Sequence, residues 1–256
     1  MNAQQRQRAI VAAVERDGRA AVTELARHHG VTVETIRRDL AALDRAGALR
    51  KVHGGAVPAP ALATPETGVI EREASRSAAK DRIAARAVAA LDLRPGATLL
   101  LDAGTTTGAL ARRLPEGLGL TVITDSVLIA AGLAARTDLT VRVLGGVVRG
   151  ITQAAVGPEA LSLLTLLRAD VAVLGTNGLT AEHGLSTPDP DEGAVKRAMA
   201  AAGRRVVVLA DATKIGQEHL VSFADTDDVD LLVTDAALPA PLANHLTDTG
   251  TEVLVA

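Results

Sequence analysis

The sequence predicts an α/β protein in two parts. A small helical module with a short hairpin occupies residues 1–57, and a parallel-sheet α/β domain occupies residues 76–256. Three observations predict this. First, charge is unevenly divided: residues 1–57 hold ten Lys/Arg and six Asp/Glu, a balance of +4, whereas the chain as a whole stands at −3 and the remainder at −7. Second, a proline-bearing stretch, PAPALATPETG, lies between the two parts. Third, from residue 98 onward short Val/Leu runs alternate with helical stretches, the pattern of strands buried on both faces and covered by helices.

Composition narrows the chemistry. The 256 residues are 48% hydrophobic and 22% charged, which is globular and long enough for two domains. No apolar run reaches the length of a membrane span, and the N-terminus lacks a signal-peptide core. Without cysteine there are no disulfides and no thiolate metal sites, so a cytoplasmic protein is expected. Phe223 is the only aromatic residue apart from histidine. A sugar or base therefore cannot be held by stacking on Trp or Tyr. Polar side chains and backbone amides must hold any small ligand, which favours one carrying a charge, such as a phosphate.

In the first module, Ala3–Arg16 reads as a helix with Ile10, Val11 and Val14 inward. Asp17-Gly18-Arg19 breaks it. A short second helix opens near Val22, with Thr23 as its expected N-cap, and Gly30 supplies a tight turn. A longer helix then runs through VTVETIRRDLAALDRAG, with Thr32 as N-cap and Gly47 as its stop. Val33, Ile36, Leu40 and Leu43 fall on one stripe. Glu34, Thr35, Arg38 and Arg45 fall on the other, with Arg37 at the edge. Taken alone, this is an ordinary amphipathic helix with a solvated charged face. Its neighbours point elsewhere, because a short helix, a glycine turn and a longer Arg-faced helix are the parts of a helix-turn-helix. Guanidinium groups and hydroxyls are what reach phosphates and base edges in a major groove. Ala48–Val52 then reads as a strand, turned by His53-Gly54-Gly55 and paired by Ala56-Val57. That hairpin is a wing, with Arg50, Lys51 and His53 placed for the DNA backbone or the minor groove. The helix caps Thr23 and Thr32, together with Glu34, complete the expected DNA-facing set.

The run TVETIRRDLAALDRAGALRKVHGGAV, and the later LDAGTTTGALA, resemble the DeoR family of bacterial transcriptional regulators. The resemblance implies that the second helix of the motif enters the major groove. Thr35, Arg37 and Arg38 would then lie at the DNA, with Arg50, Lys51 and His53 in the wing.

Residues 58–75 read as an extended linker, because Pro58, Pro60 and Pro65 fix φ and remove donors. A helix over Ser77–Leu91 follows, with Lys80 and Arg82 expected outward. Strands are expected at Thr98–Leu101, Leu120–Thr124, Leu139–Leu144, Asp170–Leu174, Arg205–Ala210, Leu231–Val233 and Glu252–Val255. Helices are expected at Thr106–Arg113, Ser126–Ala135, Pro158–Leu167, Glu192–Ala202 and Pro239–Leu246. In such folds ligands sit where strands end and helices begin.

Several of those junctions carry ligand-binding chemistry. Asp102, Gly104, Thr105, Thr106 and Thr107 offer hydroxyls and a glycine at a helix start. Thr124, Asp125 and Ser126 form a second junction, Gly175, Asn177 and Gly178 a third, and Gly145 lies at a fourth. Lys196 follows within a turn of another helix start, and Asp211 and Lys214 complete the set. Any one junction could be no more than a capped helix. Six in a domain without aromatic residues favour a polar phosphate-sugar pocket.

The DeoR resemblance extends over this domain, whose family fold is similar to ribose-5-phosphate isomerase and glucosamine-6-phosphate deaminase. It implies a repressor of sugar catabolism that leaves its operator on binding a phosphorylated sugar. It assigns Asp102 and Gly104–Thr107 to the phosphate, and Asn177, Lys196, Asp211 and Lys214 to the sugar or a phosphate oxygen. Two positions depart from the family pattern. Asp125 stands where the family commonly has Asn, which directs it to sugar hydroxyls or to a different effector. Ile215 stands where an aromatic is usual.

An isomerase-like fold also admits an enzyme tethered to a DNA-binding module, with Asp102, Asp125 or Asp211 as base. No GxSxG, GxxxxGK[ST], post-strand GxGxxG or HExxH signature accompanies them. His183, His219 and His245 are scattered and read as surface or cap residues. No metal or cofactor is implied. The expected partners are operator DNA, a phosphorylated sugar and further copies of the same chain, since half-site recognition needs at least a dimer.

Overall fold

A computed structural model describes residues 3–45, 48–52, 54–58 and 66–256. The chain divides into two compact units, Met1–Leu62 and Ala63–Ala256.

The first unit contains α1 (Ala3–Asp17), β1 (Ala20–Ala21), α2 (Val22–His29), α3 (Val33–Arg45), β2 (Leu49–Val52) and β3 (Gly55–Pro58). The anticipated stripe of α3 is inward. Ile36, Leu40 and Leu43 join Ile10 and Val14 of α1, Leu25 of α2, and Leu49 and Ala56 of the hairpin, with Val33 half-buried at the margin. Burying each such Leu or Ile contributes about 1.5–3 kcal/mol. Thr32 caps α3 as expected, its Oγ1 accepting from Thr35 N at 3.1 Å. Asp39, buried on the inner edge of α3, accepts from Arg6 Nε at 2.6 Å and Gln7 Nε2 at 3.0 Å, which ties α1 to α3. Gly30 ends α2 at φ 63, with its N–H turned back to the Ala26 and Arg27 carbonyls.

Two details of this unit differ from the sequence reading. Ala21 occupies the N-cap of α2 without a side-chain cap, so Thr23 lies inside the first turn, exposed. The helix start lies ahead of the expected cap, at Val22, which is buried in the core. The hairpin also has a third strand, in the antiparallel order β1-β3-β2. Gly55 permits this pairing, because a Cβ there would stand 2.3 Å from Ala20 O. Gly47 and His53 lie outside the described residues.

In the second unit, all seven predicted strands form one parallel sheet. They are β4 (Thr98–Leu101), β5 (Thr121–Thr124), β6 (Thr140–Val143), β9 (Val171–Gly175), β12 (Val206–Leu209), β14 (Leu231–Thr234) and β15 (Glu252–Val255). Their order is β15-β14-β12-β9-β4-β5-β6. Helices cover both faces. Leu99, Leu101, Val173 and Val207 pack on α5 (Ser77–Ala90), α6 (Thr105–Ala111) and α7 (Val127–Leu133). Leu100, Leu174 and Val208 pack on α8 (Pro158–Thr165), α9 (Pro190–Ala202) and α10 (Ala240–Thr249).

The chain moves outward from β4 through β5 to β6, then returns to β9 on the other side and moves outward again. The strand order therefore reverses between β4 and β9, and a crevice opens beyond their C-terminal ends.

Three features of this unit were not anticipated. One is a hairpin of β7 (Val147–Val148) and β8 (Ala155–Val156). Another is an antiparallel sheet of β10 (Gly178–Thr180), β11 (Gly184–Thr187) and β13 (Val221–Ala224). The third corrects the linker: residues 58–75 are not extended throughout, because Val69–Ala74 forms a short helix, α4. The prolines all precede it, and Val69 is buried, with its N–H donating to Ile151 O at 2.8 Å.

Candidate functional site

An open cleft lies at the reversal point of the sheet. Gly104, Thr105 and Thr106 line it from the β4–α6 junction, and Gly175, Thr176 and Asn177 from the end of β9. Asp211, Thr213 and Lys214 line it after β12, with Lys196 and Glu192 coming from α9. Arg72, Ser75, Arg76 and Lys80 close the remaining side.

The floor is held by a buried ion pair. Asp102, fully buried, accepts from Gly104 N at 3.2 Å and from Gly175 N at 2.8 Å, and pairs with Lys196 Nζ. Lys196 also donates to Gly175 O at 3.1 Å, and its ammonium lies 5.4 Å over the Phe223 ring. Burial opposes the Lys196 charge, but the adjacent Asp102 outweighs it, so the lysine pKa is raised. This pair joins the ends of β4 and β9 beneath the cleft.

Above the floor, cations outnumber their carboxylate partners. Arg76 is satisfied by Asp235 at 2.5 Å and Asp211 at 3.3 Å. Glu192 is taken by Arg149 at 2.5 Å and by the Thr152 hydroxyl. Lys80 is buried and donates to the Arg72 carbonyl and, at 2.5 Å, to the Ser75 carbonyl. Its pKa is lowered, first by burial and then, against the pull of Asp211, by Lys214 and Arg72. Among the described residues, Arg72, Lys80 and Lys214 have no carboxylate partner. Thr105 and Thr106 line the same space. A cleft built this way can take an anion with hydroxyls beside it.

Several predicted positions lie elsewhere. Asp102 is beneath the cleft rather than on it. Thr107 is fully buried and donates to the Asp102 and Gly104 carbonyls at 2.9 and 2.7 Å, so it staples the loop. Thr124 is also fully buried and accepts from Ser126 N at 3.0 Å. Ser126 caps α7 through Ile129 N at 3.2 Å and faces a neighbouring, mainly apolar groove. Gly145 is exposed beyond β6, and Gly178 starts β10 pressed against Gln217 O.

Asp125 is only 3% exposed, and its Oδ1 has no hydrogen-bond partner among the described residues. Burial, followed by repulsion from Asp102, pushes its pKa well above the ordinary carboxyl value. Asp125 is thus enclosed and does not line the cleft, where the sequence reading had placed it. Side-chain direction is what separates cleft wall from floor.

The sequence reading missed Arg72, Ser75, Arg76, Lys80, Thr176, Glu192 and Thr213. Lys80 was expected outward and is inward. No periodic signal could have grouped these cations, because Arg72 lies in α4, Arg76 at the left-handed start of α5 and Lys80 within α5.

On the first unit, Arg37 and Arg38 extend from α3 into solvent, with Arg38's side chain 82% exposed. Glu34 meets them at 3.8 and 3.7 Å, and exposed pairs this long contribute little, so both guanidinium groups are available. Thr35 is half-buried beside them, and its Oγ1 lies 2.9 Å from that of Thr32. Arg50 and Lys51 are in β2, where Lys51 is exposed and its N–H is fixed to Asp44 Oδ1 at 2.9 Å. His183 Nε2 bonds the His219 carbonyl, and His245 Nε2 bonds the Thr226 hydroxyl, both at 2.8 Å. Among the described residues, no cluster suited to a metal ion is present and no helix is long and apolar enough to cross a membrane.

A winged helix-turn-helix followed by an α/β unit with a cationic cleft is the build of a DNA-binding transcriptional regulator. The description "DeoR-like helix-turn-helix domain" matches residues 6–59, and "DeoR C terminal sensor domain" matches residues 75–236. The chain is 37% identical to the "HTH-type transcriptional regulator GlpR" of Haloferax volcanii, over 98% of this chain and 96% of that protein. It is 31% identical to the "Glycerol-3-phosphate regulon repressor" of Escherichia coli K12, over 97% of both. It is also 28% identical to the "Putative aga operon transcriptional repressor" of E. coli O157:H7, over 98% of this chain and 93% of that one. Among solved structures, the ribose 5-phosphate isomerase A of Methanocaldococcus jannaschii matches 55% of each chain at 17% identity with a TM-score of 0.38. The chain belongs to the DeoR family of transcriptional regulators.

Proposed function

We propose that this protein is a cytoplasmic repressor of carbohydrate-catabolism genes that is released from its operator by a phosphorylated sugar. The observation that carries the effector reading is the excess of cations in the cleft: Arg72, Lys80 and Lys214 converge beside Thr105 and Thr106. The relatives' names, one of them a glycerol-3-phosphate regulon repressor, support a small phosphorylated metabolite. For release, the effector must prefer the arrangement that does not bind DNA. A hundredfold release corresponds to about 2.7 kcal/mol of coupling.

Arg37 and Arg38 of α3 read the major groove, and Arg50, Lys51 and His53 meet the backbone from the wing. Operator half-sites call for at least a dimer. Self-association is supported by the exposed apolar side chains of Val143 on edge strand β6 and of Val147 and Val148 beside it.

The carboxylates in and under the cleft argue against a catalytic role. Asp102 is bound to Lys196, Asp125 is buried without access, and Asp211 is engaged by Arg76, Thr213 N and the Thr213 hydroxyl.

The test is fluorescence anisotropy of labelled DNA from upstream of the gene, titrated with protein and then with a panel of sugar phosphates and the free sugars. One phosphosugar should release the DNA. Arg38→Ala should weaken operator binding by about 1–3 kcal/mol, and Thr106→Val should bind DNA but respond poorly to the effector. Unchanged operator affinity in Arg38→Ala would remove α3 from the groove. Consumption of a phosphosugar without DNA binding would favour the enzyme.

A further inference from the structure

Two of the three guanidinium nitrogens of Arg72, Nε and Nη2, are shielded from solvent and have no hydrogen-bond partner among the described residues. Buried charged donors left unpaired are costly, and an anion is the group that satisfies them. Arg72 lines the cleft, so its guanidinium is within reach of whatever occupies it.

The residue also has an unusual position in the chain. It lies in α4, the first helix after the proline-bearing stretch that follows the DNA-binding module. The entry to α4 is latched. Arg149 grips Glu66 at 2.8 Å, Asp189 at 3.0 Å and Glu192 at 2.5 Å, and Val69 N–H is fixed to Ile151 O. Glu192 belongs to both the latch and the cleft wall. Lys80 closes the other end of α4 by capping the Arg72 and Ser75 carbonyls.

We infer that Arg72 is a direct ligand of the cleft anion, so that effector binding grips the helix through which the sensor unit connects to the DNA-binding module. The inference rests on the anion-binding reading of the cleft and adds to it the residue that couples occupancy to the connection. An anion between Arg72 and Lys214 draws α4 against the β12 side of the cleft and stiffens residues 66–76. An anion held only by Thr105, Thr106 and Lys214 leaves those residues as they were.

The experiment uses the full chain and inorganic phosphate as probe. Phosphate binding is measured by titration calorimetry for the wild type, Arg72→Gln, Arg72→Lys and Thr106→Val, and amide exchange of the 66–76 peptide is followed with and without phosphate. Arg72→Gln should lose about tenfold or more in affinity, with partial recovery in Arg72→Lys. In the wild type, phosphate should slow exchange across 66–76. Undiminished binding in Arg72→Gln alongside weakened binding in Thr106→Val overturns the inference and leaves the anion cleft standing. Wild-type binding without protection of 66–76 overturns the coupling. Absence of phosphate binding in the wild type overturns the cleft reading and this inference together. If Arg72→Gln does not fold, Arg72→Lys and the wild-type exchange decide.

Discussion

Asp125 shows how much a single buried group can alter. Its carboxyl is enclosed, its Oδ1 is unpaired and its pKa is well above normal. The folded state therefore keeps a proton that the unfolded chain gives up near pH 3.9. Stability falls as pH rises from that value through the folded pKa, and above it the full deficit persists. Asp125→Asn removes the titration and supplies the neutral side chain that the family resemblance puts at this position. It should raise the melting temperature at pH 7–8 and flatten its dependence on pH. Parallel melting curves for the two proteins between pH 5 and 8 would show that the acid is already stabilised in its charged form. Lys196 is placed differently, because its ammonium lies against Asp102, which also accepts from Gly104 N and Gly175 N. Asp102→Asn leaves a buried ammonium uncompensated, which costs about 3–5 kcal/mol and should appear as a lowered midpoint in denaturant.

The elements show where local pattern suffices. The stripe of α3 was legible because a 3.6-residue period places Ile36, Leu40 and Leu43 on one side whatever the partner. The same regularity left Arg37 and Arg38 outside. The central strands β4, β5, β9, β12 and β14 were legible as Val/Leu runs because a doubly covered parallel strand has no polar face. Strands without a run of Val or Leu carry too little pattern to be seen, as in β10 (GLT), β11 (GLST) and β13 (VSFA), and two-residue strands such as β1, β7 and β8 are too short for any period. The wing depends on one such strand. Gly55→Ala would set a Cβ against Ala20 O, so β1 should separate from β3 and the wing lose its anchor. Operator affinity should then drop about tenfold or more, as for loss of a good base or backbone contact, while far-UV circular dichroism of the sensor helices stays intact. Wild-type affinity in that variant would show that the wing does not contribute.

At the scale of the whole molecule, a net charge of −3 conceals a basic module and an acidic sensor. DNA binding should therefore respond to salt as a basic protein does. Neutralising about six phosphates predicts a loss of about a thousandfold between 50 and 200 mM salt. A plot of log affinity against log salt measures that number directly. A slope near zero would mean that the arginines of α3 and the residues of the wing do not reach the backbone.

Residue order was enough to establish the helix-turn-helix, the parallel sheet and the strand-end junctions, because helical period, apolar runs and turn residues are local properties of a chain. The outward placing of Arg37 and Arg38 followed from the same regularity. The composition of the cleft was decided only in three dimensions. Whether a polar side chain at a strand end is wall or floor depends on packing from segments far away in sequence. Asp102 and Asp125 went to the floor, while Arg72 and Lys80, read as linker and outward helix face, came to the wall. They did so because Val69 is buried and the Arg149 cluster holds the chain at Glu66, contacts that join residues about 80 positions apart.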